Sequence, residues 1–433
     1  MVKKYIGLNL IIILSLIPLM IWFSMLGMDE RFGNTIQSLV SLGQLSALLG
    51  MTLFSFSFLL STRLKFLDEY FGGMNKVYVI HHFIGGLAFI LLLFHPLFLL
   101  SRTLPISLAY SAAFLLPEGT LAKDLGVYSL VLMILLLYLT FFVSLKYEIW
   151  KNSHKFLGVA FFFGGMHSLL IYSDMQTSML LRYYMMGVLF VGITSYLYKT
   201  VFGKWLVKKY QYKLIDKQFL KDDIVVLTFK AHDKIMEYQS GQFVFINFNS
   251  KFLPKESHPF SISSEDRGDT FSLTIKTLGD YTSALRTVEV GELAQVEGPF
   301  GKFNYLNSKN KRQIWIAGGI GVTPFLGMMK QLISTGDTSH KIDFYFCTKN
   351  NEEQSILTGL VNEIRDVENV NFVPHCSTEQ GRVNAGFIKE NSRDIKKADI
   401  FICGPIPMMK SLREQFKKLG VRKNRIISEE FNF

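Results

Sequence analysis

Cysteine is scarce in this chain, and charge is scarce in its first half. Only Cys347, Cys376 and Cys403 occur in 433 residues, all in the C-terminal half. Three thiols so placed form no disulfide framework, which excludes a disulfide-stapled secreted fold and suits a reducing compartment. Charged residues make up 19% of the chain but are thinned from the region before about Phe202, whereas 49% of all residues are apolar and Phe alone occurs 39 times. That asymmetry excludes a single ordinary soluble domain.

Other absences narrow the function. No basic stripe with interleaved aromatics is present, so the net charge of +11 reads as membrane topology bias plus solvated surface, and nucleic acid is not an expected partner. No calcium-binding loop motif and no long cytoplasmic tail stand out, which predicts constitutive activity without an obligatory protein activator. The stretch from Ser101 to Asp124 is largely apolar and offers no cysteine or histidine cluster for iron or copper. No clean small-residue cleavage site follows the first apolar stretch, which therefore reads as a span and not as a signal peptide.

What is present begins with six apolar stretches, each long enough to cross a ~30 Å hydrocarbon core as a helix. They run from Tyr5 to Leu26, Ile36 to Leu60, Val77 to Leu100, Leu125 to Leu145, His154 to Tyr172 and Met179 to Val201. Lys3, Lys4, Arg63, Lys65, Lys76, Lys146, Lys151, Lys155, Lys199, Lys204, Lys208 and Lys209 flank one set of ends, against Arg31, Arg102, Lys123 and Arg182 at the other. Positive residues are retained inside, so a multi-pass protein of the cell membrane is expected, surrounded by lipid, with both termini cytoplasmic.

Ionisable side chains within such spans need a reason to exist. His81 and His95 lie in the third span, His154 and His167 in the fifth. Interhelical hydrogen bonding, a proton relay and a metal other than haem are the plainer explanations. Two matched pairs on spans of the same direction favour two b-type haems instead, the inner held by His81 and His154, the outer by His95 and His167. Iron held by two imidazoles is saturated and suits electron transfer. On the third span, 14 residues correspond to about 21 Å of rise and return within about 40° of the same face. His82, next in sequence, points about 100° away and is the weaker alternative to His81. On the fifth span, 13 residues correspond to about 220°, so a distortion is required, and Gly164 and Gly165 are expected to permit it. Gly85, Gly86 and Gly158 would let a porphyrin lie against the backbone, or serve close helix packing.

After Lys209 the pattern becomes short alternating strands, "YQYKLID", "DIVVLTF", "QFVFINF" and "TFSLTIKT", which predict a small antiparallel β-barrel. From about Gln313, strands "QIWIAGG", "KIDFYFC", "NVNFVPH" and "DIFICG" alternate with helical stretches, the pattern of a parallel sheet with crossover helices. The expected domains are therefore an all-α six-helix membrane domain over 1–203, a β-barrel over 204–308 and an α/β domain over 309–433. In "HPFSISS", from His258 to Ser264, an aromatic can pack on a flavin ring while hydroxyls and backbone donors suit its ribityl chain and pyrophosphate. "IKTLGDYTSAL" adds Lys276, Thr277 and Thr282 as a cation and hydroxyls near a turn, a candidate phosphate cradle. In "IAGGIGVTPFLGMM" a strand runs through Gly318, Gly319 and Gly321 into a helix, where a dinucleotide pyrophosphate is favoured by helix N-terminal amides.

In this order the motifs resemble the ferredoxin-NADP reductase superfamily. The whole chain resembles the NADPH oxidase and ferric reductase family, most closely its bacterial NADPH oxidase members, through "HPFSIS", "GGIGVTP", "FICGP" and the paired histidines. The resemblance implies a di-haem membrane domain joined to a ferredoxin-NADP-reductase-like module, with electrons passing from NADPH through FAD and the haems to an outside acceptor. It places His258, Pro259, Phe260, Ser261, Ile262, Ser263, Lys276, Thr277 and Thr282 around FAD. Gly318, Gly319, Gly321, Val322, Thr323 and Pro324 fall at the nucleotide loop, with Cys403, Gly404 and Pro405 near the nicotinamide and Arg382 near the adenosine phosphate. Thr348 stands where NADPH-selective relatives often carry Arg, so Lys349 is expected to substitute, or NADH to serve as well. Phe431 is expected over the flavin, with ordinary burial as the alternative, and joins Cys403 and Glu429 at the hydride-transfer position. Some relatives carry a further histidine one turn beyond the outer ligand; Leu99 stands there in this chain. Arg102 and Arg182 would attract superoxide, or contact propionates and headgroups. The acceptor implied is molecular oxygen, with superoxide as product; a ferric-chelate reductase and an electron-supplying subunit for a periplasmic partner are the alternatives.

Overall fold

The computed structural model describes residues 6–221, 223–250, 253–254, 257–351 and 367–430. They form two compact units divided between Val207 and Lys208.

The first unit is helical. Among the described residues, five helices are long and apolar enough to cross a membrane: α1 (Ile6–Met25), α2 (Thr35–Ser61), α3 (Met74–Ser101), α4 (Leu121–Phe141) and α7, whose α-helical part Met179–Tyr196 continues as a π-helical turn to Val201. Large apolar side chains on them face outward, among them Ile13, Phe83, Ile90, Leu97, Leu135 and Phe190, the reverse of a water-soluble bundle. α2 is the central helix and buries Leu48, Met51, Phe56 and Leu60 together with Ser55 and Ser57.

The span expected from His154 to Tyr172 is not one helix. It is α5 (Tyr147–Lys155) and α6 (Leu157–Leu170), separated by Phe156. Fourteen residues of α6 rise only about 21 Å, so α6 alone falls short of the hydrocarbon thickness. At the junction Phe156 N–H donates to Ser153 O at 3.0 Å and Val159 N–H to Phe156 O at 2.9 Å, both three-residue bonds of a 3₁₀ turn. Such winding advances about 120° per residue in place of about 100°. The extra rotation at this turn has the sense that brings His154 and His167 back from the ideal offset of about 220° toward one face. The distortion is thus at Phe156 and not at Gly164 and Gly165, which lie inside continuous helix against Ser129 and Leu189.

The second unit opens with a six-stranded antiparallel sheet, β1 (Tyr210–Lys221), β2 (Ile224–Ala231), β3 (Phe243–Phe248), β4 (His258–Ser261), β5 (Thr270–Lys276) and β6 (Leu293–Phe300), in the order β4-β3-β6-β1-β2-β5. An Ile262–Leu273 bridge and the bond from Ser263 N–H to Ser272 O at 2.9 Å tie the two ends together, closing the sheet around Tyr212, Leu214, Phe229, Ile246, Phe271 and Val296. A parallel sheet follows, β7 (Arg312–Gly318), β8 (Lys341–Thr348), β9 (Val370–Cys376), β10 (Asp399–Cys403) and β11 (Ile426–Glu429), in the order β11-β10-β7-β8-β9. Its two faces carry separate apolar clusters, one with Trp315, Phe325 and Phe344, the other with Ile316, Tyr345 and Leu412, as an all-parallel sheet requires. Helix α8 (Thr323–Thr335) lies so close to the barrel that a Cβ at Gly327 would stand 2.8 Å from Ser264 O.

Candidate functional site

On α3 the heptad His81, Ala88, His95 turns inward while Phe83, Ile90, Leu97 turns outward. The ring centroids of His81 and His154 are 6.3 Å apart, and those of His95 and His167 are 6.4 Å apart, with planes crossed at 70° and 62°. Two imidazoles sharing one metal ion at about 2 Å per bond have centroids roughly 6 Å apart, so the spacing of each pair would suit one shared ion.

The other ring nitrogen of each histidine is also accounted for. His81 Nδ1 lies 2.9 Å from Ser57 O and 3.0 Å from Ser57 Oγ, and His95 Nδ1 lies 2.9 Å from Gly43 O. Ser57 and Gly43 are themselves 14 residues apart on α2, so two packed helices repeat one contact at two levels. His167 Nδ1 lies 2.6 Å from Ala122 O, and His154 Nδ1 lies 3.5 Å from Thr140 Oγ1. With Nδ1 donating to a carbonyl, the imidazole is fixed as the tautomer whose Nε2 lone pair is available to a metal. His82 is exposed and takes part in neither pair. Of the small residues expected beside a porphyrin, Gly85 packs on Ser57 and Gly158 on Tyr196, while Gly86 faces open space.

In the second unit, β4 alternation sends His258 and Phe260 to one side, where His258 stacks on Tyr281 at 3.7 Å between centroids and Phe260 lies parallel to it at 6.5 Å. Tyr281 was not singled out by the sequence, although it lies within "IKTLGDYTSAL", directly before Thr282. Pro259 pairs with Phe245 and Ser261 with Phe243 in the β3–β4 ladder. Ile262 is fully buried in the barrel core. Ser263 Oγ donates to Ser272 O at 3.1 Å and accepts from Thr274 Oγ1 at 2.9 Å, so this hydroxyl closes the barrel. Lys276 pairs with Asp223 at 3.5 Å, and the Thr277 hydroxyl donates to Asp223 O at 3.2 Å. Thr282 Oγ1 accepts the amides of Leu278 and Gly279 at 2.9 and 3.0 Å, shaping the turn beside Gly279, where a Cβ would meet nothing within 4 Å.

The nucleotide loop lies at the point where strand order reverses between β7 and β10, the place where open α/β sheets receive ligands. Gly319 has φ +52°, a left-handed position that favours glycine. A Cβ at Gly321 would stand 2.5 Å from Cys403 O, and one at Gly318 would meet Met408 and Pro405. The "GGIG" and "CGP" segments thus touch backbone to backbone, with Val322, Thr323 and Pro324 leading into the N-terminus of α8. Cys403 pairs in register with Ala317 and with Glu429. Burial, reinforced by the negative Glu429, pushes its thiol well above the ordinary range. Lys349 O accepts from Thr378 N–H at 3.1 Å at the ends of β8 and β9, where Thr348 is buried and Arg382 is exposed. Phe431 lies outside the described residues.

One buried polar group near the outer pair escaped the sequence reading. The Arg31 guanidinium bonds Asp174 at 2.6 Å and Gln44 Oε1 at 3.3 Å and lies 3.7 Å from the centre of the Trp22 ring, whose Nε1 also donates to Asp174 at 2.8 Å. Gln44 directly follows Gly43, the partner of His95. Arg31 and Asp174 are 143 residues apart, and no local pattern marks such a pair. Arg102 is half-buried and Arg182 exposed.

Comparison with known proteins agrees with this division. A ferric reductase-like transmembrane component matches residues 46–165, an FAD-binding domain residues 209–323, and an oxidoreductase NAD-binding domain residues 315–414. NADH-cytochrome b5 reductase 1 of Mycosarcoma maydis is 26% identical over 238 residues, 51% of this chain and 72% of that protein. Dual oxidase 2 of Rattus norvegicus is 30% identical over 173 residues, which are 37% of this chain but 11% of that oxidase. The flavohemoglobin of Malassezia yamatoensis, solved with FAD and haem, has a TM-score of 0.52 at 16% identity over 94% of this chain and 100% of its own, a likeness of fold alone. Ferric-reductase-like membrane helices followed by FAD-binding and NAD-binding domains on one chain make this a member of the NADPH oxidase and ferric reductase-like family, a transmembrane NAD(P)H-dependent oxidoreductase.

Proposed function

We propose that the protein carries electrons from cytoplasmic NAD(P)H, by way of FAD and two b-type haems, to molecular oxygen on the far side of the cell membrane, releasing superoxide. The observation that supports this most directly is the two-level pairing of His81 with His154 and His95 with His167 at 6.3 and 6.4 Å. When bound, FAD would take a hydride and release electrons singly, and bis-imidazole iron would pass them without binding the acceptor.

The residues have separate tasks in this reading. Gly318, Gly319 and Gly321 keep side chains out of the nucleotide loop, so that the main chain and the N-terminus of α8 receive the pyrophosphate. Phe260, His258 and Tyr281 form the aromatic wall for the flavin, and Lys276 supplies a cation, since a partly exposed pair with Asp223 is weak enough to yield to a phosphate. Cys403 and Glu429 stand at the adjoining strand ends, and Phe431 would cover the flavin. Lys349 and Arg382 are the cations available to the adenosine phosphate. The three domains are assigned to 1–203, 204–308 and 309–433, and no protein activator is needed.

Purified full-length protein given NADPH and FAD in air should reduce cytochrome c in a superoxide-dismutase-sensitive manner. Insensitive reduction without oxygen uptake would count against superoxide. The match to a ferric reductase-like component over residues 46–165 favours one second reading, ferric-chelate reduction by the same path. Faster reduction of ferric chelate without oxygen than of oxygen itself would select it.

A further inference from the structure

Three of the four paired histidines are clamped by a short bond from Nδ1 to a main-chain carbonyl, at 2.9, 2.9 and 2.6 Å. His154 is the exception. Its Nδ1 meets Thr140 Oγ1 at 3.5 Å, the outer limit of a useful hydrogen bond. Thr140 holds it weakly, because its own hydroxyl proton is donated to Leu136 O at 2.8 Å and the oxygen acts toward His154 only as an acceptor. The main chain gives little help, since α5 is nine residues long and ends directly after His154 at the tight Phe156 turn.

An aromatic face packs on the ring instead. Trp150, one turn earlier on α5, lies against the His154 ring with centroids 5.4 Å apart and planes within 22°, an offset stack of the favourable kind. Its own backbone is fixed, with N–H donating to Lys146 O at 3.0 Å and C=O accepting from Ser153 Oγ at 2.9 Å. The half-buried indole thus restricts the imidazole to one plane as the carbonyls do for the other three.

We propose that Trp150 is the positioning residue of the inner ligand His154, holding its ring toward His81 by stacking in place of a carbonyl bond. The inference rests on reading His81 and His154 as haem ligands. It makes the two levels unequal. The outer pair has two strongly hydrogen-bonded, hence more basic, imidazoles, the inner pair only one. The inner haem is accordingly the one whose retention and potential depend on an aromatic side chain.

The test uses the full chain with Trp150→Leu, Trp150→Met and Trp150→Phe, reading haem per protein, low-spin electron paramagnetic resonance signals and the potential of each haem. Leu and Met should weaken haem retention at one site by roughly 10- to 100-fold, the usual effect of losing an outer-shell partner, and shift or erase one low-spin signal while the other stays. Phe should restore both. Met preserves bulk without a flat face, so it decides the matter if the Leu variant does not fold. Wild-type signals and potentials in the Leu or Met variant would overturn the proposal, as would equal loss of both signals in all three. Wild-type protein without any b-type haem spectrum would remove the underlying reading first, which is a different result from an intact di-haem variant.

Discussion

At the scale of single residues, His81 and His82 show how much one position decides. Adjacent in sequence, one turns toward His154 and donates to Ser57 O while the other is exposed. On the proposed di-haem reading, His81→Ala should remove one haem, seen as a halved reduced-minus-oxidised absorbance per protein, and His82→Ala should keep both. The reverse pattern would transfer the ligand role to His82. The cysteines give a second expectation. All three are buried, and burial pushes the Cys347 thiol up to about 12. A raised thiol pKa favours the folded state below the unfolded value of about 8.5, an advantage lost as pH rises from there through the folded value. Native protein at pH 8 should resist alkylation at all three sites and react fully when unfolded, and its denaturant midpoint should fall steadily above about pH 9. Rapid labelling of native protein would contradict the burial.

At the scale of elements, helix contacts at glycine carry the histidine geometry. A Cβ on Gly126 of α4 would stand 2.7 Å from His167 Nδ1, in the space of a ring that must reach Ala122 O. Gly126→Ala is expected to turn that ring and lower outer-haem retention by roughly 10- to 100-fold, with the inner haem signal unchanged; retention of both haems would show that the ring has room. The connections around α1, α2 and α6 depend instead on Arg31 and Asp174. Asp174→Ala leaves a buried guanidinium without its carboxylate, a change that costs about 3 kcal/mol or more, so the thermal midpoint in detergent should fall by several degrees. An unchanged midpoint would mean that Trp22 and Gln44 suffice. Legibility follows the same physics. The long apolar helices and the eight strands that alternate or run apolar were readable because periodicity and length are local properties. β4 and β11 have four residues each and β6 contains Gly298-Pro299, too short or too interrupted to show a period. The break at Phe156 was unreadable because the residue is an ordinary helix former and the 3₁₀ turn serves pairing with α3. The motif glycines were legible, but the engagement of Ser263 and Thr282 in closing the barrel and the turn depends on strand order, which no single phrase contains.

At the scale of the whole molecule, the chain joins ferric-reductase-like membrane helices carrying two histidine pairs to FAD-binding and NAD-binding domains. If the four histidines form one path with the outer level last, removing His95 stops delivery across the membrane but leaves the dehydrogenase chemistry whole. His95→Ala should then keep NAD(P)H-dependent reduction of a small soluble dye within about twofold of wild type, because hydride transfer and dye access occur at the flavin. Oxygen uptake should fall to background in the same preparation, since electron transfer through an unliganded outer level has no iron to use. His81→Ala should give the same pair of results, because a series path is cut equally by either loss. Persistent superoxide from His95→Ala would place oxygen reduction at the flavin or the inner level, and a parallel loss of dye reduction in both variants would show that the membrane unit is needed to fold the dehydrogenase and not merely to accept its electrons.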